Sequence, residues 1–167
     1  MLTKAQLEKI IVLQTELDAK IAKTRKILET EEILVAKFLA LFVEIGEFAN
    51  EQRCFKYWSS KPASPKAVLL EEYIDGLHFI VSIANNLKIN LAKLQIIEKE
   101  YADLNVAFLA LFAKTVELAK TKNAKTINEW FNTYYSIGRL CNFNGDDIFS
   151  GYLNKNKINH LRQEQNY

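Results

Sequence analysis

Residues 44–79 read EIGEFANEQRCFKYWSSKPASPKAVLLEEYIDGLHF, and this stretch decides the fold. Apolar residues recur at helical spacing in its first and last parts, which predicts a helix on each side. Between them lies the segment 59–65, SSKPASP, whose two prolines end the first helix and form a turn. We therefore predict two helices joined by a proline-rich turn that can fold them antiparallel.

Each of these helices carries a pair of acids three residues apart, Glu44 with Glu47 and Glu72 with Asp75. Positions three apart share one helix face, with Cβ atoms about 5–6 Å apart. In an antiparallel hairpin the paired residue numbers keep a constant sum, so Glu44 faces Asp75 and Glu47 faces Glu72. The four carboxylates are therefore expected to converge.

The local charge balance indicates a metal site at these acids. No lysine or arginine lies four residues before or after any of them, and apolar residues surround them. Gathered carboxylates repel and are costly to desolvate unless they are protonated or bind a metal. Ligation by oxygen alone suits Mg²⁺ or Mn²⁺ and not zinc. Each motif alone is common on solvated helix faces, but two matched motifs without basic partners favour a metal.

The composition is that of one globular domain, which we expect to span residues 1–167. Hydrophobic residues make up 49% of the chain and charged residues 25%, while five glycines and two prolines favour long helices. A formal charge of +2 is too small to indicate nucleic acid or a membrane as a partner. Cys54 and Cys141 match no metal-ligand spacing and are expected to be reduced.

No segment has the features of a signal peptide or a membrane span. The first 21 residues alternate charged and apolar residues and lack a continuous apolar region. The most apolar stretch, residues 33–48, is interrupted by Lys37, Glu44 and Glu47. We therefore expect a cytoplasmic protein.

Helical periodicity extends over nearly the whole chain, which predicts an all-α bundle of about five to six helices. The expected helices are 2–28, 31–57, 66–86, 90–121, 124–141 and 146–165. The fourth carries more apolar surface than one groove needs. It is either a central helix buried on all sides or an interface with a second subunit, and periodicity does not decide between them.

The last helix presents a cationic and amide face. In the segment 151–163, GYLNKNKINHLRQ, the residues Lys155, Asn159 and Arg162 fall on one side. Such a face suits phosphate oxygens, although alone it is more often a solvated basic face. Metal-binding carboxylates and a phosphate-binding helix are the two halves of a nucleoside triphosphate site.

Two further residues are candidates for contact with a base. Trp58 follows the first acidic helix, and His78 lies one turn after Asp75. Trp58 could stack on a base, although a tryptophan is more often part of a core. His78 could donate to or accept from a base or sugar, or it could be a partly buried histidine satisfied within the protein.

Three stretches resemble the dimeric dUTPases of the all-α NTP pyrophosphatase (MazG-like) superfamily. They are EIGEFANEQRCFKYWS at 44–59, LEEYIDGLHFIVSI at 70–83 and GYLNKNKINHLRQ at 151–163. The paired-acid helices mark the superfamily, and the FKYW, EYIDGLHF and NKINHLRQ runs are similar to the dUTPase branch. The resemblance covers nearly the whole chain and implies a MazG-like helical bundle that forms a homodimer.

The resemblance also implies a role for each candidate residue. It implies that Mg²⁺, with Mn²⁺ as a substitute, is coordinated by the catalytic acids Glu44, Glu47, Glu72 and Asp75. It implies phosphate contacts from Lys155, Asn159 and Arg162, with Lys56 as an additional contact. It implies a deoxyuridine pocket formed by Gln14, Trp58, His78 and Asn156.

The activity implied is hydrolysis of dUTP to dUMP and pyrophosphate, which limits uracil incorporation into DNA. Glu47 is the candidate to orient or deprotonate the attacking water, and dUDP is a candidate second substrate. One alternative is a broader dNTP or dCTP pyrophosphatase, because only the base pocket would differ. Another is a helical interaction module that binds a regulatory protein. No nucleic acid or membrane partner is expected.

Overall fold

The computed structural model describes residues 2–28 and 30–165, and six α-helices account for most of them. The helices are α1 Lys4–Arg25, α2 Glu31–Gln52, α3 Lys66–Asn86, α4 Leu104–Thr121, α5 Ala124–Leu140 and α6 Gly145–Glu164. A short 3₁₀ helix covers Leu91–Lys93, and no strand forms within the described ranges. The predicted all-α bundle is confirmed.

Short polar side chains set the start of most helices. In five helices, the side-chain oxygen of the residue before the helix accepts a hydrogen bond from a backbone N–H of the first turn. These capping residues are Thr3 for α1, Thr30 for α2, Asp103 for α4, Asn123 for α5 and Asn144 for α6. Such caps satisfy donors that have no partner within the helix. The third helix instead begins directly after Pro65.

The helices pack as two hairpins and two flanking helices. The α2/α3 pair and the α4/α5 pair form the most extensive contacts, and α6 returns against α1 and α3. The central α3 therefore contacts α1, α2 and α6, and most of its residues are buried. None of the helices in the described part of the chain has the length and hydrophobicity needed to cross a membrane.

The predicted fourth helix, 90–121, is wrong in its first part, because α4 begins only at Leu104. Residues 94–103 instead run along α5 without helical hydrogen bonds. Three backbone N–H groups two residues apart donate to α5 side chains four residues apart: Gln95 to Asn128 Oδ1 (2.9 Å), Ile97 to Asn132 Oδ1 (2.8 Å) and Lys99 to Ser136 Oγ (2.7 Å). Side-chain acceptors on a neighbouring helix thus replace the backbone acceptors that a helix would supply.

The second helix is also shorter than predicted and ends at Gln52 rather than near residue 57. Arg53 adopts a left-handed conformation with φ of 67°, which stops the helix. The following loop is held back against the helix end, because the Ser64 N–H donates to the Glu51 carbonyl at 3.0 Å. The aromatic segment 55–58 therefore belongs to the loop.

Aromatic side chains fill the core beneath α3. The rings of Tyr73 and Tyr134 stack with centroids 4.3 Å apart, and the Tyr134 hydroxyl donates to the Tyr73 carbonyl at 2.5 Å. To reach that carbonyl, the hydroxyl passes over Gly76, where a Cβ would collide with it. Gly76 is therefore required for this close approach, next to the predicted metal ligand Asp75.

We expect Gly76→Ala to lower the free energy of unfolding by about 1–3 kcal/mol, because the added methyl overpacks a site with no spare volume. Gly46→Ala is the matched control, since a Cβ at Gly46 meets nothing within 4 Å. Removing a flexible glycine from a helix interior should stabilise that variant by roughly 0.5–1 kcal/mol. Urea unfolding of both variants tests this, and equal stability of the two would contradict it.

Candidate active site

The α2/α3 hairpin brings three carboxylates together. Glu44 of α2 and Glu72 and Asp75 of α3 each place one ligand oxygen within 4.8 Å of the other two. All three side chains are partly buried. Three of the four acids that were expected to converge therefore form a compact acidic triad.

Burial and mutual repulsion raise the pKa values of the three carboxyl groups of the triad. The pKa of Glu44 is raised to about 7, first by burial and then by the charges of Asp75, Glu47 and Glu72. Burial is also the largest cause of the raised pKa of Glu72 and of Asp75. Three oxygen donors that repel one another fit a hard divalent cation, which would favour their ionised forms.

Glu47 lies beside the triad without joining it. Its side chain is exposed, and its carboxylate acts on the pKa of both Glu44 and Glu72. The largest charge acting on Glu44 is that of Asp75, and the largest acting on Glu72 is that of Glu47. Among charged groups, Glu44 is thus influenced most by Asp75, and Glu72 by Glu47, as expected if these residues face each other in an antiparallel hairpin.

Lys155 of α6 connects the triad to the predicted phosphate-binding face. Its Nζ lies 2.6 Å from Asp75 Oδ2 and 2.9 Å from Glu71 Oε1, and its side chain is only 11% exposed. Burial disfavours its charged form, but the hydrogen bonds to Asp75 and Glu71 outweigh burial and raise its pKa. No lysine or arginine lies one turn from these acids in the sequence, but the fold brings Lys155 into contact with Asp75.

A cavity of about 350 Å³ opens beside the triad, between α1, α2, α3 and α6. The predicted site residues that line it are Gln14, Glu44, Asp75, His78, Lys155, Asn159 and Arg162. On α6, Arg162 Nη1 donates to Asn159 Oδ1 at 3.4 Å. The cavity thus joins carboxylates, cations and amides in one space, with apolar side chains completing its walls.

Three polar residues of the cavity wall were not predicted: Asp18, Lys37 and Ser82. Each lies one or two helical turns from a predicted residue and on the same face. Asp18 follows Gln14 by four positions, Ser82 follows His78 by four, and Lys37 precedes Glu44 by seven. Extending the helical period from each candidate would have found them.

Polar side chains of α1 and α3, which form the polar end of the cavity, also line its wall. The Nδ1 atom of His78 lies 2.7 Å from Oε1 of Gln14, whose Nε2 donates to Oδ1 of Asp18 at 2.8 Å. Gln14 and His78 are 3% and 5% exposed. Burial, followed by the charge of Lys155, lowers the pKa of His78 to about 3, so the imidazole is neutral.

The structure does not bring Trp58, Lys56 or Asn156 to this cavity. Because α2 ends early, Trp58 lies in the loop, 66% exposed and packed edge-to-face on neighbouring aromatic rings. Lys56 Nζ donates to Asn50 Oδ1 at 2.6 Å. Asn156 follows Lys155 by one residue, so its side chain is rotated away on α6 and donates to the Leu13 carbonyl of α1 at 3.4 Å.

A protein-family model described as dUTPase matches residues 6–167. The matched range contains every helix from α2 to α6 and nearly all of α1. It therefore includes all residues of the acidic triad and of the cavity wall. No curated protein matches the chain.

The raised pKa of Glu44 predicts a pH-dependent stability in the absence of metal. Between the ordinary value of 4.5 and about 7, the folded protein holds a proton that the unfolded chain releases. The stabilisation by neutral Glu44 is therefore complete below pH 4.5 and is lost as the pH rises through about 7. We expect urea unfolding in EDTA to show this fall, and Glu44→Gln to reduce it. An unchanged slope in that variant would contradict the assignment.

Proposed function

The chain belongs to the helical dUTPase family, and on that premise we propose how its residues hydrolyse dUTP. The enzyme is a dUTP diphosphatase, which converts dUTP and water into dUMP and pyrophosphate. The observation that carries the proposal is the acidic triad beside a cavity that also contains cations and a buried polar end. These are the three chemical environments that a metal-bound nucleoside triphosphate needs.

We propose that Glu44, Glu72 and Asp75 hold Mg²⁺, for which Mn²⁺ can substitute, and that Glu47 completes the set. The donors are carboxylate oxygens alone, and a divalent cation would favour the charged forms of groups whose pKa values are raised. When bound, the metal would neutralise phosphate charge and promote ionisation of water. The protein contributes the fixed spacing of the donors on two packed helices.

Glu47 is the proposed base for the attacking water. It is exposed beside the triad, so that a water molecule can reach its carboxylate. Its charge is the largest that acts on the pKa of Glu72, which supports a position beside the proposed metal ligands. A carboxylate at hydrogen-bond distance from the water can accept its proton as the phosphorus–oxygen bond forms.

The proposed phosphate contacts come from α6. Arg162 can bind two phosphate oxygens at once, and Asn159 can donate through its amide. Lys155 lies between the acids and these residues, so its ammonium group can contact a phosphate that also binds the metal. The same contacts would serve dUDP, which we propose as a second substrate. Lys56, Trp58 and Asn156 lie outside the cavity and are not among the proposed contacts.

We expect Glu47→Gln to lower kcat for dUTP about a hundred- to ten-thousand-fold, because it removes the base and keeps the side-chain volume. Glu117→Gln is the control, since Glu117 is an exposed glutamate on α4 and does not line the cavity. Pyrophosphate release at saturating Mg²⁺ measures both variants. Turnover near the wild-type rate in Glu47→Gln would refute the role of Glu47.

We also propose that the chain is a single domain over residues 1–167 and pairs with a second copy of itself. Helices α2 and α4 expose an apolar face, the α2–α4 face, formed by Val35, Leu39, Val43, Val106, Leu109 and Val116. Leu109 and Leu39 are 70% and 66% exposed. A groove of about 530 Å³ lined by Phe108 and Phe112 continues this face. Exposed apolar residues on two helices that pack together favour an interaction site there.

Leu109→Glu should convert a dimer to a monomer, because it places a charge at the centre of the α2–α4 face. Leu140→Glu introduces the same charge at another exposed leucine, at the end of α5, and should leave the dimer intact. Analytical ultracentrifugation of the two variants measures their masses in solution and so distinguishes dimer from monomer. Equal masses for both would argue against this face as the interface.

A further inference from the structure

Asp18 of α1 lines the cavity and accepts hydrogen bonds from side chains of α1 and α3. Its Oδ1 accepts from Gln14 Nε2 at 2.8 Å and from Ser82 Oγ at 3.0 Å. It belongs to none of the metal, phosphate or nucleoside contacts assigned above. Its hydrogen bond to Gln14 nevertheless bears on which groups the cavity offers to a base.

The carboxylate of Asp18 sets the orientation of the Gln14 amide. An ionised carboxylate can only accept hydrogen bonds, so the group of Gln14 that faces it must be the NH₂ donor. The carbonyl oxygen Oε1 then points the other way. There it accepts from the Tyr152 hydroxyl and lies 2.7 Å from Nδ1 of His78.

The orientation of Gln14 in turn sets the tautomer of His78. Because Oε1 cannot donate, Nδ1 of His78 must carry the hydrogen of the neutral ring. Nε2 is then a bare acceptor. It is buried, and among residues 2–28 and 30–165 it has no hydrogen-bond partner. The ring cannot tilt freely, because Tyr152 stacks on it at a centroid distance of 4.0 Å.

We propose that Asp18 is a positioning residue for base recognition, which acts through Gln14 to keep Nε2 of His78, a residue of the cavity wall, a hydrogen-bond acceptor. This inference rests on the proposed function. An acceptor at this place matches the N3–H donor of uracil. Cytosine carries a lone pair at N3, so it would leave both acceptors unsatisfied in a buried site. The hydrogen bonds from Asp18 through Gln14 to His78 thus favour dUTP over dCTP.

The matched variants are Asp18→Asn and Tyr152→Phe. An amide at position 18 can donate as well as accept, so both orientations of Gln14, and with them both tautomers of His78, become possible. Tyr152→Phe removes another hydrogen bond to the same Gln14 oxygen but retains the carboxylate and the ring stack. It therefore destabilises the pocket without releasing the tautomer.

Nitrogen-15 NMR of the imidazole rings reports the tautomer directly. The chain has two histidines, so His160→Gln in the background of each variant leaves only the His78 signals. In the wild type and in Tyr152→Phe we expect a protonated Nδ1 and an unprotonated Nε2. In Asp18→Asn we expect a mixture of the two His78 tautomers, together with at least a tenfold fall in the ratio of kcat/KM for dUTP to that for dCTP.

A titration of the wild type with nucleoside monophosphates is a separate measurement. In the wild type, dUMP should shift the Nε2 signal and dCMP should not.

An unchanged His78 tautomer in Asp18→Asn would overturn the inference, as would a changed tautomer with an unchanged substrate ratio. If Asp18→Asn does not fold, the wild-type titration decides, and an Nε2 signal that responds equally to dUMP and dCMP overturns the inference. A wild-type protein that shows the expected tautomer but does not hydrolyse dUTP would instead refute the proposed function.

Discussion

The repulsion among partly buried carboxylates on the α2/α3 hairpin is the constraint on which the site depends. Packing of two apolar helix faces holds Glu44, Glu72 and Asp75 within 4.8 Å of one another, a distance that their charges alone would oppose. The raised pKa values record that cost, and burial is its largest cause. The free energy of the hydrophobic core thus maintains a charge arrangement that only a cation or protons can relieve.

The last helix supplies the opposing charge. Lys155 is nearly buried against Asp75 and Glu71, which joins α6 to α3 by an ion pair at the wall of the cavity. One and two turns further along α6, Asn159 and Arg162 line the same cavity. The cavity wall therefore carries both carboxylates, which suit a metal, and cations, which suit the phosphates of the proposed substrate. The close packing of α6 on α3 therefore serves both the fold and the site.

The proposed selectivity depends at the polar end on hydrogen-bond direction rather than charge. Gln14, Asp18 and His78 are arranged so that each bond determines the next, and the imidazole stays neutral because its pKa is about 3. Such an end can distinguish a donor from an acceptor on a base. The metal and phosphate contacts cannot, because they touch atoms that all nucleoside triphosphates share.

Periodicity along the sequence predicted much of the architecture. Helical spacing identified the all-α class and placed the start of α2, α3 and α5 within one residue of the structure. The i,i+3 acids on either side of a proline turn predicted a cluster of four carboxylates, of which three lie together, since a short antiparallel connection restricts which helix faces can meet. The segment before α4 was missed because its backbone bonds to Asn128, Asn132 and Ser136, acceptors that lie more than 30 residues away along the chain.

By itself, then, the sequence determined the helix class, the acid hairpin and the basic face of α6, because these depend on residues one or two turns apart. Tertiary structure alone decided that Lys155 pairs with Asp75, that Trp58 lies outside the cavity and that Gln14 contacts His78. Those contacts depend on the rotation and spacing of helices packed from distant parts of the chain, and local periodicity carries no information about either.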